Sequence, residues 1–184
     1  SLKYLLDKAG LKIINLSFNQ INGGSIEVDV VKNKSKLKEC KHLINWVLES
    51  ERVNKYNEIE KQKLFFKECE NHKYLLKKLL NTLKKQNKKI LGYGASTKGN
   101  VLLQYCKIDS KIVDYVAEVN SFKFNKFTPG TNIKIISEKE AKQKKPDYFL
   151  VLPWHFKDHI IKREKEYLKK GGKLIFPLPD IEIV

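Results

Sequence analysis

The hydrophobic period of the chain changes twice. Leu2, Leu5, Leu6 and Ala9 recur at helical spacing, and Gly10 supplies a C-terminal cap. Residues 11–18 and the alternation of Ile26, Val28 and Val30 with Glu27 and Asp29 then follow a two-residue period. Asn22-Gly23-Gly24 between them suits positive φ, so the stretch predicts a helix followed by a hairpin. Such a hairpin has no core of its own. It is expected at the edge of a sheet whose other strands precede Ser1 or lie later in the chain.

From residue 35 to 86 the period becomes helical. Leu37, Cys40, Leu43, Ile44, Val47 and Leu48 form one stripe, and Phe65, Cys69, His72, Leu76, Leu79 and Leu83 another, which predicts two core-facing helices. After Lys88 short apolar runs alternate with amphipathic ones, as in a parallel α/β unit. Strands are predicted at residues 90–93, 112–119, 147–153, 173–177 and 181–184. Helices are predicted at 98–106, at 137–145 with Ser137 as cap, and at 157–170, closed by Gly171-Gly172. The expected fold class is α/β: a small Rossmann-like parallel-sheet domain at 88–184, a helical connector at 34–87, and the helix and hairpin at 1–33.

Composition narrows the function classes. No apolar run approaches the roughly 18 residues of a membrane span, and Asp7 interrupts the N-terminal segment where a signal peptide would be apolar. The chain starts at Ser1 and contains no methionine, as expected of an interior piece of a longer protein. Cys40, Cys69 and Cys106 show no C-x2-C pairing and read as free thiols of a cytoplasmic protein. His155 and His159 have H-x3-H spacing without an adjacent Glu or a cysteine pair, so no metal site is expected. The net charge of +16 invites a nucleic-acid reading. Its distribution opposes one: residues 1–86 carry 18 basic and 10 acidic side chains, residues 87–184 carry 19 and 11, and only Arg52 and Arg163 are arginines. No specific nucleic-acid partner is expected.

The candidate chemistry lies at strand ends. In GYGASTKGN, Gly92 and Gly94 open a turn between a buried strand and a helix, where backbone amides and the helix dipole favour phosphate. Ser96, Thr97, Lys98 and Asn100 offer further polar groups. Thr97 stands where a dinucleotide fingerprint has its third glycine, and Lys98 precedes Gly99, unlike a Walker A loop. In open parallel sheets ligands bind at the carboxyl ends of strands, which adds Glu118 as a ribose contact, Trp154 as a stacking surface and His155 as a donor. A ligand-free reading also accounts for these residues. In it the turn is a tight connection, Glu118 pairs with a loop, and Trp154 covers the sheet edge.

GYGASTKGN, EVNSFKFNKFTPGT, KPDYFLVLPWHF and GGKLIFPLPDIEIV, in that order and spacing, resemble the C-terminal domain of sugar-nucleotide C-methyltransferases. The resemblance extends through the helices to NGGSIEVDV, which looks like the end of a methyl-donor domain. It implies a parent enzyme that transfers a methyl group from S-adenosylmethionine to a carbon of a nucleoside-diphosphate keto-deoxysugar. It also implies that the donor site, the catalytic residues and a zinc-binding cysteine cluster precede Ser1. This chain would then supply the substrate side, no catalytic residue and no metal ligand, and would be inactive alone. Glu27 stands where the family often has Arg, Glu118 where Asp is usual, Ser121 where Pro is usual, and Asn125 where Gly is frequent. The alternative is a non-catalytic Rossmann-like module with a structural or dimer-forming role. A nicotinamide oxidoreductase lacks both its third glycine and a hydride-transfer site.

Overall fold

A computed structural model describes residues 2–184 as two compact units, up to Lys67 and from Glu68 onward. In the first, α1 (Leu2–Lys8) leads into β1 (Leu11–Asn19), which pairs antiparallel with β2 (Ser25–Lys32). Gly24, at φ 124°, makes the turn. Among the described residues these strands pair only with each other, so no later strand extends the hairpin. Helix α2 (Lys41–Val53) follows, and among the described residues only Ile13 and Ile44 of this unit are buried. The predicted stripe is therefore only partly covered: Cys40, Leu43 and Val47 are half-buried beside Ile44, while Leu37 is 55% exposed.

Helix α3 (Ile59–Lys85) runs from one unit into the other. Its stripe is a core face only from Leu76 to Leu83, while Phe65 remains exposed. The second unit then adds β3 (Ile90–Tyr93), α4 (Thr97–Tyr105), β4 (Val116–Glu118) and β5 (Ile135–Ser137). It continues with α5 (Glu138–Gln143), β6 (Tyr148–Val151), α6 (Lys157–Arg163), α7 (Lys165–Lys169), β7 (Lys173–Phe176) and β8 (Glu182–Ile183). The sheet order is β5-β4-β3-β6-β7-β8, parallel except for β8.

The two-residue period of the strands divides the core. Ile90, Val116, Leu150 and Ile175 face a layer containing Leu76, Leu80, Leu102 and Leu103 from α3 and α4. Leu91, Ala117, Phe149 and Leu174 face the other layer, with Ala141 and Ile160 of α5 and α6. This three-layer α/β arrangement is the Rossmann-like fold expected from the alternation. Among the described residues no helix is long and apolar enough to cross a membrane.

Four elements differ from the expectation. The strand expected at 112–119 begins only at Val116, because Asp109 accepts from the Lys111 and Val113 amides and closes a turn there. The edge strand β5 is an addition, three residues long. The helix expected at 157–170 breaks at Glu164 (φ −95°, ψ 19°). Its carboxylate, 1% exposed, turns inward to Tyr93 Oη (2.9 Å) and Lys142 Nζ (2.8 Å). The last strand runs antiparallel to β7.

Candidate functional site

Chain order reverses between β3 and β6, and the turns leaving these two strands touch. Gly94 adopts φ +78°, and a β-carbon there would lie 2.9 Å from the Pro153 ring. Two residues on, Ser96 caps α4 by accepting from the Gly99 amide at 3.0 Å. A β-carbon on Gly99 would sit 2.3 Å from Leu152 Cβ. Gly99 thus provides the close helix-to-strand approach that the third glycine of a dinucleotide fingerprint provides, from a later position. Gly92 lies within β3, buried against Val116, and lines neither cleft described below.

Glu118, at the end of β4, is engaged on both oxygens. Oε1 accepts from the Val119 amide (2.8 Å) and the Asn120 amide (3.0 Å), and Oε2 accepts from the Ala95 amide (3.1 Å) and Lys123 Nζ (3.1 Å). Lys123 also donates to the Ala95 carbonyl at 2.9 Å. The pair therefore holds the glycine turn from both sides of Ala95. Burial pushes the Glu118 pKa up, but the Asn120 amide, the Lys123 ammonium and the Val119 amide outweigh it and leave it below the ordinary value. Those four bonds use most of the acceptor capacity of Glu118, leaving little for a ribose hydroxyl.

Two clefts open on either side of the Ala95-Ser96 turn, and Lys123 borders both. The first, about 270 Å³, is lined by Tyr93, Gly94, Phe156, Ile160 and the carboxylates Glu118 and Glu138. Its charges are paired internally: Arg163 with Glu138, Lys142 with Glu138 and Glu164, Lys123 with Glu118. The second, about 360 Å³, is lined by Ser96, Thr97, Asn100, Lys123, Lys126 and Phe127 among others, with no carboxylate. Lys126 is exposed and forms no ion pair among the described residues. Ser96 and Thr97 at the α4 N-terminus line this cleft, so the helix dipole adds to a field that favours an anion there.

Asn100 lines the second cleft, but its Oδ1 is turned away from solvent and has no hydrogen-bond partner. Of the residues expected at the site, Ser96, Thr97 and Asn100 meet here, Gly94 and Glu118 line the first cleft, and Trp154 and His155 line neither. Trp154 packs against both faces of the core. His155 meets Trp154 edge-on and Phe156 at a tilt (ring centroids 6.1 and 4.3 Å), and burial followed by the nearby charge of Lys98 lowers its pKa. Its Nδ1 is buried without a partner. Lys98 is thereby placed on the His155 side of the turn.

Lys123, Lys126 and Phe127 went unrecognised in the sequence. Their signal is the interleaving of lysine and aromatic residues in SFKFNKF, directly after a strand end. The backbone of this segment folds back on β5: the Asn125 amide donates to Ile135 O (2.9 Å), the Ile135 amide to Lys126 O (2.8 Å) and the Thr128 amide to Ile133 O (2.9 Å). Asn125 sits at φ +60°, a conformation Asn tolerates better than most side chains, which accounts for its replacing a frequent glycine. Ser121 is the first residue of a 3-10 turn capped by Asn120, a position where proline costs no hydrogen bond.

A family model described as "C-methyltransferase C-terminal domain" matches residues 20–179. The chain is also similar to the C-methyltransferase NovU of Streptomyces niveus, at 29% identity over 184 residues, covering 100% of this chain and 44% of the relative. It spans less than half the length of that relative. With a match across most of its length, the chain belongs to the C-methyltransferase C-terminal domain family.

Proposed function

We propose that this chain is the substrate-side part of an S-adenosylmethionine-dependent enzyme that methylates a carbon of a nucleoside-diphosphate keto-deoxysugar, with the diphosphate at the α4 N-terminus. The supporting observation is the second cleft: a helix end, two lysines and no carboxylate around a space of about 360 Å³, within the usual range for small-molecule sites. Ser96, Thr97 and Lys126 would meet the diphosphate, with Lys98 adding positive charge from the other side of the turn. Trp154 and His155 act as packing behind it, and Glu118 acts by holding the turn in shape.

The methyl donor does not fit this cleft. S-adenosylmethionine carries a cationic sulfonium, and Lys126 would repel it, with Glu118 already paired to Lys123 and no carboxylate in the lining to compensate. Its site, the proton-removing base and any zinc cluster are assigned to an upstream domain of the same protein. The exposed hairpin β1–β2 and residues 1–33 are read as the end of that domain.

Calorimetry with thymidine diphosphate tests the site. The 184-residue chain should bind it, and Lys126→Ala should bind about fivefold more weakly, the worth of one exposed charge contact. Unchanged affinity would remove the phosphate role. Labelled methyl groups should not be transferred by the chain alone, and robust transfer would overturn the division of labour. The competing reading, a structural module without ligand, draws on the Glu118–Lys123 pair, which completes the turn unaided. It predicts no binding by wild type.

A further inference from the structure

We propose that Phe127 is the stacking face for the nucleobase, which lies flat on its ring in the second cleft while the diphosphate stays beside Ser96, Thr97 and Lys126. This rests on the nucleotide-site reading above and adds to it the orientation of the nucleoside and the residue that sets it.

Phe127 is 53% exposed, yet the backbone that carries it is pinned. It bridges antiparallel to Lys134, the Lys126 carbonyl before it accepts from the Ile135 amide at 2.8 Å, and the Thr128 amide after it donates to Ile133 O at 2.9 Å. The loop beyond is tied as well. Thr128 and Thr131 share a hydroxyl hydrogen bond of 2.7 Å, and Gln104 Nε2 of α4 donates to the Pro129 carbonyl at 3.0 Å. A wall held this firmly loses little freedom when a ligand seats on it. Among the described residues the Phe127 ring packs on no other ring and no cation sits over it, so its open face is unused.

Position and charge select the occupant. Phe127 follows Lys126 directly and both border the same cleft, so a cationic tip and an apolar face meet one space. A nucleoside diphosphate has the same division, with anionic phosphates at one end and a planar base at the other. Leu103, Pro129, Ile135 and Leu152 make the rest of the lining largely apolar, which suits a base and disfavours a second phosphate. The other aromatics do not compete. Phe122 is 82% exposed but lines neither cleft, Phe156 lines the first cleft with Glu118 and Glu138, and Trp154 lines neither. The stacking role that the sequence suggests for Trp154 therefore passes to Phe127. Stacking accepts any planar base, so the ring orients the nucleoside without choosing among bases.

The test is calorimetry on the 184-residue chain with three probes: inorganic pyrophosphate, thymidine diphosphate and dihydrothymidine diphosphate, whose saturated base is puckered but keeps its hydrogen-bonding groups. Wild type should bind the dihydro form about fivefold more weakly than thymidine diphosphate, the low end for base stacking because the ring is half open to water. Phe127→Leu keeps apolar bulk without an aromatic face. It should bind thymidine diphosphate about fivefold more weakly than wild type and make no distinction between the two thymidine forms. It should hold pyrophosphate within about twofold of wild type, which also shows that it is folded. Phe127→Tyr, with the aromatic face kept, should retain both the affinity and the preference. Indifference of wild type to saturation of the base, equal losses of both thymidine forms in Phe127→Leu, a matching loss of pyrophosphate, or a preference lost in Phe127→Tyr would overturn the assignment and leave the anion site standing. Failure of wild type to bind any probe would remove the nucleotide site and this inference with it.

Discussion

Replacing Glu118 by Gln keeps the side-chain shape and removes only its charge and one acceptor oxygen. If the amide oxygen stays with Val119 and Asn120, the new NH2 faces the Ala95 amide and Lys123 Nζ, donor against donor. A charge-assisted bond contributes about 1.5–3 kcal/mol. Lys123 is 42% exposed and water can replace part of what it loses, so the expected cost is about 2 kcal/mol rather than the sum of two such bonds. Urea unfolding would read this as a midpoint shift of about 1 M. A Trp46→Phe background leaves Trp154 fluorescence to report on the sheet unit, and Trp46 is 63% exposed, so its replacement is mild. The sign with pH is fixed. The folded pKa of Glu118 lies below its ordinary 4.5, so its contribution is present above that value and is lost as pH falls through the folded pKa. The gap between wild type and Glu118→Gln should therefore be full at pH 7 and close on acidification below 4.5. A gap of the same size at both ends, or none at pH 7, would refute the charged latch.

Two further outcomes are expected. Gly94→Ala would force a β-carbon into left-handed backbone at φ +78° and to 2.9 Å from the Pro153 ring, costing about 2–4 kcal/mol and displacing the turn. Thermal melting, with thymidine diphosphate binding alongside, would check both effects. The Cys106 thiol is fully buried, and burial pushes its pKa up to about 11, so iodoacetamide at pH 8 should modify Cys40 and Cys69 well before Cys106 in the native chain. Mass spectrometry of timed samples would show this, and early labelling of Cys106 would contradict its packing.

Much of the architecture is written in local pattern. Ile90–Tyr93, Tyr148–Val151 and Lys173–Phe176 are short apolar runs bounded by Gly, Pro and Lys, and burial on both faces of a parallel sheet requires that pattern. Ser96 and Ser137 announce helix starts because a cap acts within three residues of itself. Gly94 is legible for the same reason, since a tight strand-to-helix turn needs a left-handed residue wherever it occurs.

What sequence alone could not decide depends on partners distant in the chain. The break at Glu164 exists because its carboxylate meets Tyr93 Oη, 71 residues earlier, and no helical periodicity registers that pull. The edge strand β5 is three residues with no pattern of its own, and its pairing with β4 makes it a strand. Glu118 looked like a ribose contact by its place at a strand end, whereas packing gave it four protein donors first. Lys126 and Phe127 reach the cleft only because the segment after Asn125 folds back on β5. The unpartnered oxygen of Asn100 is likewise a tertiary fact. Residue identity placed Asn100 near a phosphate-type turn, and only the packing around it left its acceptor buried and unanswered.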